Sequence, residues 1–297
     1  MTNFKLVPLN VIGINNFHKR QTIFTWSRKR KADVIFFQET HSQEGSEIQW
    51  KNEWGAKIFY SHGTRYSCVV MVLIRNKFNC TVKKMVSDPS GRFIILKVVI
   101  EDKVYVLINI YAPNRDNLTC KFFKNLHKTL QKENLDCEEN IICGGDHFNC
   151  PLNSKFDKRG GVMVPRKNVI DNIQCLQNEL DLVDIWRIKN PQPKSYAWSQ
   201  SSQQIFCRLD YWLISNNLHD FVESTDITPT IKTDHAAIEL VLRDSHQSVK
   251  GPGYWKMNVS PLEDENYLNE LKNNLPEWKT TGINNLSDKR SIWDWLK

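Results

Sequence analysis

The chain predicts a four-layered α/β sandwich, two packed mixed β-sheets flanked by helices, over about 240 residues, enough to bury a large core in one domain. Two observations predict it. Residues 56–110 hold five β-rich runs in succession, joined by short turns such as Asp88-Pro89-Ser90-Gly91 and Glu101-Asp102-Lys103. A run this dense needs hairpin-linked, largely antiparallel pairing. The remainder interleaves amphipathic stretches with apolar runs, as in sheets covered by helices. Together they fit two sheets packed face to face better than one doubly wound parallel sheet.

Taken in order, strands are expected at 6–12, 33–38, 56–60, 68–75, 80–86, 92–100, 103–110, 140–144, 182–186, 209–214 and 236–242. The first rests on Leu6-Val7-Pro8-Leu9 and the second on Val34-Ile35-Phe36-Phe37. Ile141-Ile142-Cys143 and Tyr211-Trp212-Leu213-Ile214 carry two of the later ones. Helices are expected at 18–31, 116–132 and 167–180, the last two with apolar residues at three- and four-residue spacing. The first ends on Arg28-Lys29-Arg30-Lys31, where cations complement the helix dipole. Nuclear import or a phosphate contact is the other reading of that basic run. Beyond Arg243, the polar, Gly- and Pro-containing stretch 244–253 reads as a linker, which sets domain bounds of 1–243 and 244–297.

A formal charge of +7 and a pI near 8.9 favour a polyanionic partner. The eight cysteines are scattered, with no C-x-x-C pair and no zinc spacing, and read as reduced core residues of an intracellular protein. No apolar stretch reaches membrane-spanning length, and Met1-Thr2-Asn3-Phe4-Lys5 does not open a signal peptide.

Polar groups recur where the expected strands end. Asn10 closes the first apolar run, Glu39 follows Gln38, Asp146 follows Gly144-Gly145, Asp210 precedes Tyr211, and Asp234-His235 precedes the last strand. Five such sites predict strands converging on one acidic centre. Carboxylates and a side-chain amide oxygen suit Mg²⁺, a hard cation. A histidine held by a carboxylate takes a proton from water. Phosphodiester cleavage needs both functions.

Leu9-Asn10, Gln38-Glu39-Thr40-His41, Asn109-Ile110-Tyr111-Ala112-Pro113-Asn114, Gly144-Gly145-Asp146, Arg208-Leu209-Asp210-Tyr211-Trp212 and Thr233-Asp234-His235-Ala236-Ala237 stand in a telling order. Residues 5–243 thereby resemble the endonuclease/exonuclease/phosphatase superfamily, in particular the apurinic-like endonuclease domain of LINE-type non-LTR retrotransposons. The resemblance implies a DNase I-like fold, Mg²⁺ (or Mn²⁺) as cofactor, DNA as partner and nuclear action. It implies Glu39 as the main metal ligand, Asn10 on the metal or the phosphate-binding network, and Asp234 completing the metal site. Tyr111 would hold the scissile phosphate or help the leaving oxygen, Asp146 would orient or deprotonate the attacking water, and Asn149 would bind the phosphate. Asp210 would orient His235. Gly251-Pro252-Gly253-Tyr254-Trp255-Lys256-Met257-Asn258 resembles the stretch ahead of the reverse transcriptase in such polyproteins; no polymerase motif occurs here, and a monomer is expected. Each residue has a plainer reading: Asn10 and Asp210 as turn caps, Tyr111 as a core aromatic. Tyr196, Trp198 and Trp212 are candidates to meet DNA, with core packing as the alternative for most tryptophans.

The chain departs from the family pattern in several places. Its usual Gly-Asp-Phe-Asn is interrupted here by His147, giving Asp146-His147-Phe148-Asn149, so a regular strand would turn Asp146 and Asn149 to opposite faces. Ile12 replaces an Asp or Asn, Val69 and Met71 alter a Gly-Val-Ala pattern, Ala197 replaces Thr, and Cys207 replaces Ser. These changes predict a surviving fold with weakened phosphate contacts. The expected activity is Mg²⁺-dependent nicking of target DNA. The alternatives are an apurinic/apyrimidinic repair endonuclease or exonuclease III-type 3′ exonuclease, and a catalytically dead DNA-binding remnant.

Overall fold

Successive residues of a strand face opposite ways, and a sheet apolar on both faces must be covered twice. The computed structural model describes residues 3–63, 69–138, 140–145, 148–162, 166–243 and 264–285. One sheet contains β1 (Phe4–Asn10), β2 (Val34–Gln38), β3 (Lys57–Ser61), β4 (Val70–Ile74), β14 (Val222–Thr228) and β15 (Ala237–Leu242), in the order β14-β15-β1-β2-β4-β3. The other contains β5 (Cys80–Ser87), β6 (Phe93–Ile100), β7 (Lys103–Ile110), β8 (Ile141–Gly145), β10 (Leu182–Asp184) and β13 (Tyr211–Ser215), in the order β10-β13-β8-β7-β6-β5. A small ribbon joins β9 (Lys158–Arg159), β11 (Trp198–Gln200) and β12 (Ile205–Cys207). The helices of this part are α1 (Phe17–Lys29), α2 (Glu47–Trp54), α3 (Asp116–Lys132), α4 (Ser154–Asp157), α5 (Lys167–Glu179) and α6 (Ile185–Lys189).

The two sheets share a plan. Each has one parallel pair at its centre, β1 with β2 and β7 with β8, linked through α1 and α3 and flanked by antiparallel neighbours. Leu6, Phe36 and Val72 of the first sheet meet Leu96, Leu107, Ile142 and Trp212 of the second. The alternate residues face outward: Val7, Ile35 and Phe37 pack on Phe24 of α1 and Trp50 of α2. On the far side Val106, Ile108 and Leu213 pack on Phe123 and Leu126 of α3 and Ile173 of α5. These are the four expected layers.

The hairpin-rich stretch splits between the sheets, β3 and β4 pairing in the first and β5-β6-β7 forming a meander in the second. Strand β14, Val-Glu-Ser-Thr-Asp-Ile-Thr, has no counterpart among the expected elements. It is a half-exposed edge strand with an irregular register between Val222 and Ser224, so polar residues stand where an apolar run would signal a strand. The strand expected at 182–186 stops at Asp184, whose carboxylate accepts from the Arg187 backbone N–H at 3.2 Å and caps α6. Pro8 sits inside β1, and the β1–β15 ladder runs only from Phe4 to Leu6. Without an N–H, proline cannot extend a ladder.

Arg28 and Arg30 at the end of α1 are engaged by the protein itself. Arg28 donates to the Trp54 carbonyl at 3.1 Å, and Arg30 pairs with Glu239 at 3.3 Å and lies over Trp26. The cysteines only partly match the expectation of a reduced core: Cys80, Cys143, Cys150 and Cys207 are buried, but Cys137 and Cys175 are exposed, and Cys68 lies outside the described residues. Burial pushes the thiols of Cys80 and Cys150 up to about 11 and that of Cys143 to about 12. No described helix is long and apolar enough to cross a membrane.

The chain divides into two units, Met1–Ser245 and His246–Lys297. The described part of the second centres on α7 (Glu265–Asn285), largely exposed and with Pro276 inside it. Asp264 precedes this helix and accepts from the Asn266 backbone N–H at 2.8 Å. The Gly251–Asn258 motif lies outside the described residues.

Gly144 fixes how closely the sheet can approach the Trp212 ring, since a Cβ there would lie 2.0 Å from a ring carbon. Gly144→Ala should therefore cost about 1–3 kcal/mol, the range for overpacking a filled core, read from urea midpoints. The loss should shrink in a Trp212→Leu background, because the two positions share one contact. Additive losses would refute this steric account.

Candidate active site

The chain beyond β1 continues to follow β2 after both strands end. Val11, Gly13 and Ile14 donate backbone N–H groups to the carbonyls of Gln38, Glu39 and Thr40 at 3.0, 2.6 and 3.0 Å. To do so the backbone becomes left-handed at Ile12 (φ 45°), Gly13 (71°), Glu39 (53°) and His41 (55°). Such conformations cost non-glycine residues about 1 kcal/mol or more. A Cβ at Gly13 would also meet His41 Nδ1 at 2.9 Å.

These turns aim Asn10 and Glu39 at each other. Asn10 Oδ1 accepts from the Ile12 backbone N–H at 3.0 Å, and Asn10 Nδ2 donates to Glu39 Oε1 at 3.0 Å. The backbone donor settles which end of the amide is oxygen, so Asn10 supports the carboxylate. Lys19 donates to the Ile12 carbonyl at 2.7 Å. Burial lowers its pKa, while the nearby charge of Glu39 pulls the other way.

The second sheet ends at the same level. Tyr111 directly follows β7, is buried, donates its backbone N–H to the Arg92 carbonyl at 2.7 Å, and has the Arg92 guanidinium 5.7 Å from its ring centre. Asn149 is left-handed (φ 55°), buried, and donates Nδ2 to the Ala112 carbonyl at 2.5 Å. Arg166, which the sequence did not single out, holds this corner. It donates to the Asn149 and Asn114 carbonyls, the latter at 2.9 Å, and pairs with Asp116 at 2.7 Å. Asp146 and His147 lie outside the described residues.

Side chains cross between the sheets at this end. Asn109 of β7 accepts from Gln38 of β2 at 2.6 Å and donates to the carbonyls of Phe37 and Met71 at 3.1 and 3.0 Å. His235 Nδ1 lies 3.1 Å from Asp210 Oδ2, both buried. A carboxylate only accepts, so this contact puts the proton on Nδ1 and the lone pair on Nε2. His235 Nε2 is 3.8 Å from Asp234 Oδ1, and Asp234 Oδ2 accepts from the Trp198 indole N–H at 3.0 Å. Thr230 donates to the His235 carbonyl, and the His235 backbone N–H donates to Thr233 Oγ1 at 3.3 Å.

A buried ion network lies close in sequence to Asp210. Arg208 donates to Asp157 from Nε at 2.8 Å and to Asp184 from Nη2 at 2.6 Å, and Arg187 reaches Asp157 at 2.6 Å. Arg208 stands in the quoted Arg-Leu-Asp motif, but nothing in that motif announces its two carboxylate partners. Trp212 is fully buried and donates to the Ile238 carbonyl at 2.6 Å, so it packs between the sheets and does not meet DNA. Tyr196 and Trp198 are half-buried.

All seven described candidates thus lie at one end of the sandwich. Register carries the argument: Tyr211 pairs with Gly145, Asn109 with Gly144, and Asn10 with Gln38. Leu6 pairs with Leu240, and that register, carried on, brings Asn10 level with Ala236. Among the described residues no three His, Cys, Asp or Glu groups gather closely enough to cage a metal ion. That donor set fits Mg²⁺, which keeps several waters and takes one or two carboxylates plus substrate phosphates, and does not fit a zinc cage.

Ile12 is exposed, β-branched and left-handed, a conformation better suited to Asn or Asp. Ile12→Asn should raise stability by about 1 kcal/mol in urea unfolding, at the low end of the strain released. A destabilised Ile12→Asn would show that the loop carries no such strain.

The model of the Endonuclease/Exonuclease/phosphatase family matches residues 13–235. The chain is 30% identical over 277 residues to a Xenopus laevis protein described as "Transposon TX1 uncharacterized 149 kDa protein", an alignment covering 91% of this chain. The chain spans only 20% of that relative's length. An exodeoxyribonuclease of Bacillus subtilis (strain 168) is 22% identical, with 80% of this chain and 99% of that protein aligned. The crystal structure of the AP endonuclease LMAP from Leishmania major superposes with a TM-score of 0.67 at 18% identity, covering 82% of this chain and 88% of that one. That likeness identifies the fold as the DNase I-like sandwich. A match running from residue 13 to residue 235, on this topology, makes the chain a member of the endonuclease/exonuclease/phosphatase family.

Proposed function

We propose that residues 1–243 are a Mg²⁺-dependent endonuclease, the DNA-nicking segment of a LINE-type retrotransposon polyprotein, and that residues 244–297 open the region leading to its reverse transcriptase. The observation that carries this reading is the buried Asp210–His235 pair, set at the strand ends that also present Glu39. The transposon relative, aligned with 91% of the chain, favours this over a repair enzyme. In the proposed site Glu39 and Asp234 hold the ion and Asn10 steadies Glu39. What Mg²⁺ supplies when bound is Lewis acidity at the phosphate oxygens. His235, its Nδ1–H fixed by Asp210, keeps Nε2 as the proton acceptor toward the reacting centre. Tyr111 and Asn149 bind the scissile phosphate, and Asp146 orients the attacking water. On this reading the protein acts on DNA in the nucleus, and it does so as a monomer.

The test is nicking of supercoiled plasmid with and without Mg²⁺, beside a duplex carrying one abasic site. Plasmid nicking should require Mg²⁺, with Mn²⁺ as a substitute. Asp210→Ala should slow it at least about a hundredfold, the low end for losing acid–base assistance. Cutting confined to the abasic duplex would favour the repair reading, and nicking indifferent to Asp210→Ala would rule out the pair.

His147 separates Asp146 from Asn149 by one residue more than the family pattern, and the Asn149 amide is turned to the Ala112 carbonyl. Wild type should accordingly nick slowly. Deleting His147 restores Gly-Asp-Phe-Asn and should raise the rate about a hundredfold, the worth of one well-placed donor to a developing oxyanion. A folded deletion variant no faster than wild type would remove His147 as the cause. A gain on adding Ile12→Asn would then assign the defect to Ile12, and no gain would favour a dead DNA-binding remnant.

A further inference from the structure

Asp234 sits on the loop between Pro229 and β15, its side chain 48% exposed, so nothing about its burial fixes the carboxylate. One contact does. The Trp198 indole N–H donates to Oδ2 at 3.0 Å, leaving Oδ1 3.8 Å from His235 Nε2. That gap is within ion-pair reach but too long for a hydrogen bond. The indole is itself held by backbone: Trp198 forms an antiparallel bridge with His235, Ala236 donates to the Ala197 carbonyl at 2.7 Å, and Ala197 donates to the Cys207 carbonyl at 3.1 Å. Segment 197–198 therefore ties the Asp-His loop to the β12 ribbon through main chain on both sides. Trp198 is half-buried, and water could satisfy its single N–H. The use of that donor on Asp234 is a choice of geometry.

We propose that Trp198 is a positioning residue: its indole N–H locks the Asp234 carboxylate so that Oδ1 is presented as a divalent-cation ligand. This rests on the reading of Asp234 as a metal ligand. Without the N–H, the half-exposed carboxylate is free to rotate about its side chain, and Oδ1 is no longer held where it faces the ion. Outer hydrogen-bond partners of metal ligands commonly govern affinity by ten- to a hundredfold, which sets the effect to expect.

The experiment measures Mn²⁺ affinity of the full chain by electron paramagnetic resonance of the free ion, with no DNA and no turnover. Trp198→Phe should weaken binding about tenfold. So should site-specific replacement of Trp198 by its benzothiophene analogue, which keeps the bicycle and loses only the N–H; it guards against a misfolded Phe variant. Asp234→Asn should weaken binding at least as much, and combining it with Trp198→Phe should add nothing further. If Asp234→Asn weakens binding and the benzothiophene protein binds as wild type does, Trp198 only packs and the proposal is overturned. If Asp234→Asn leaves the affinity unchanged, the ligand reading itself fails and takes this proposal with it.

Discussion

The contact between His235 and Asp210 joins one side chain from each sheet, both of them buried. Removing such a pair from solvent is expensive, and only additional hydrogen bonds make it tolerable. The surroundings hold the backbone on both sides of it. Thr230 and Thr233 secure the His235 backbone, and Arg208, itself neutralised by Asp157 and Asp184, lies two residues before Asp210. The sandwich brings the sheets together; this polar seam decides in which relative position their strand ends stop.

The loops above the seam carry part of the backbone strain. Ile12, Glu39, His41 and Asn149 are all left-handed, and all four lie in the turns that leave β1, β2 and β8. Core packing and the ladder from Val11–Ile14 to Gln38–Thr40 over-determine those turns, so strained residues persist. The same ladder directs the Asn10 amide at Glu39.

Much of this was legible beforehand. Runs such as Val34-Ile35-Phe36-Phe37 and Val70-Met71-Val72-Leu73-Ile74 are apolar throughout because both of their faces are buried, which marks strands of a doubly covered sheet. Glu39, just past the first of those runs, pointed to the candidate site for the same reason, as little else polar is tolerated there. What escaped detection depends on pairings across distance. Asn109 reads as one amide in an apolar strand until Gln38 and two foreign carbonyls are seen around it. Arg208 and Arg166 read as surface cations until their partners at 157, 184 and 149 are in view. Strand β14 is polar because it forms an edge, and no local pattern distinguishes it from a loop. Trp212 reads as a DNA contact only if its place between the sheets is unknown.

The pairing of β1 with β15, Phe4 against Leu242, reaches almost end to end of the domain. The central strand made first must wait for the partner made last, and such distant closures are slow. During synthesis, Asp234 and His235 leave the ribosome just ahead of that closing strand. Every shorter nascent chain lacks both His235 and the strand that seats it. A chain built this way cannot assemble the Asp210–His235 pair until its own translation has passed the domain boundary.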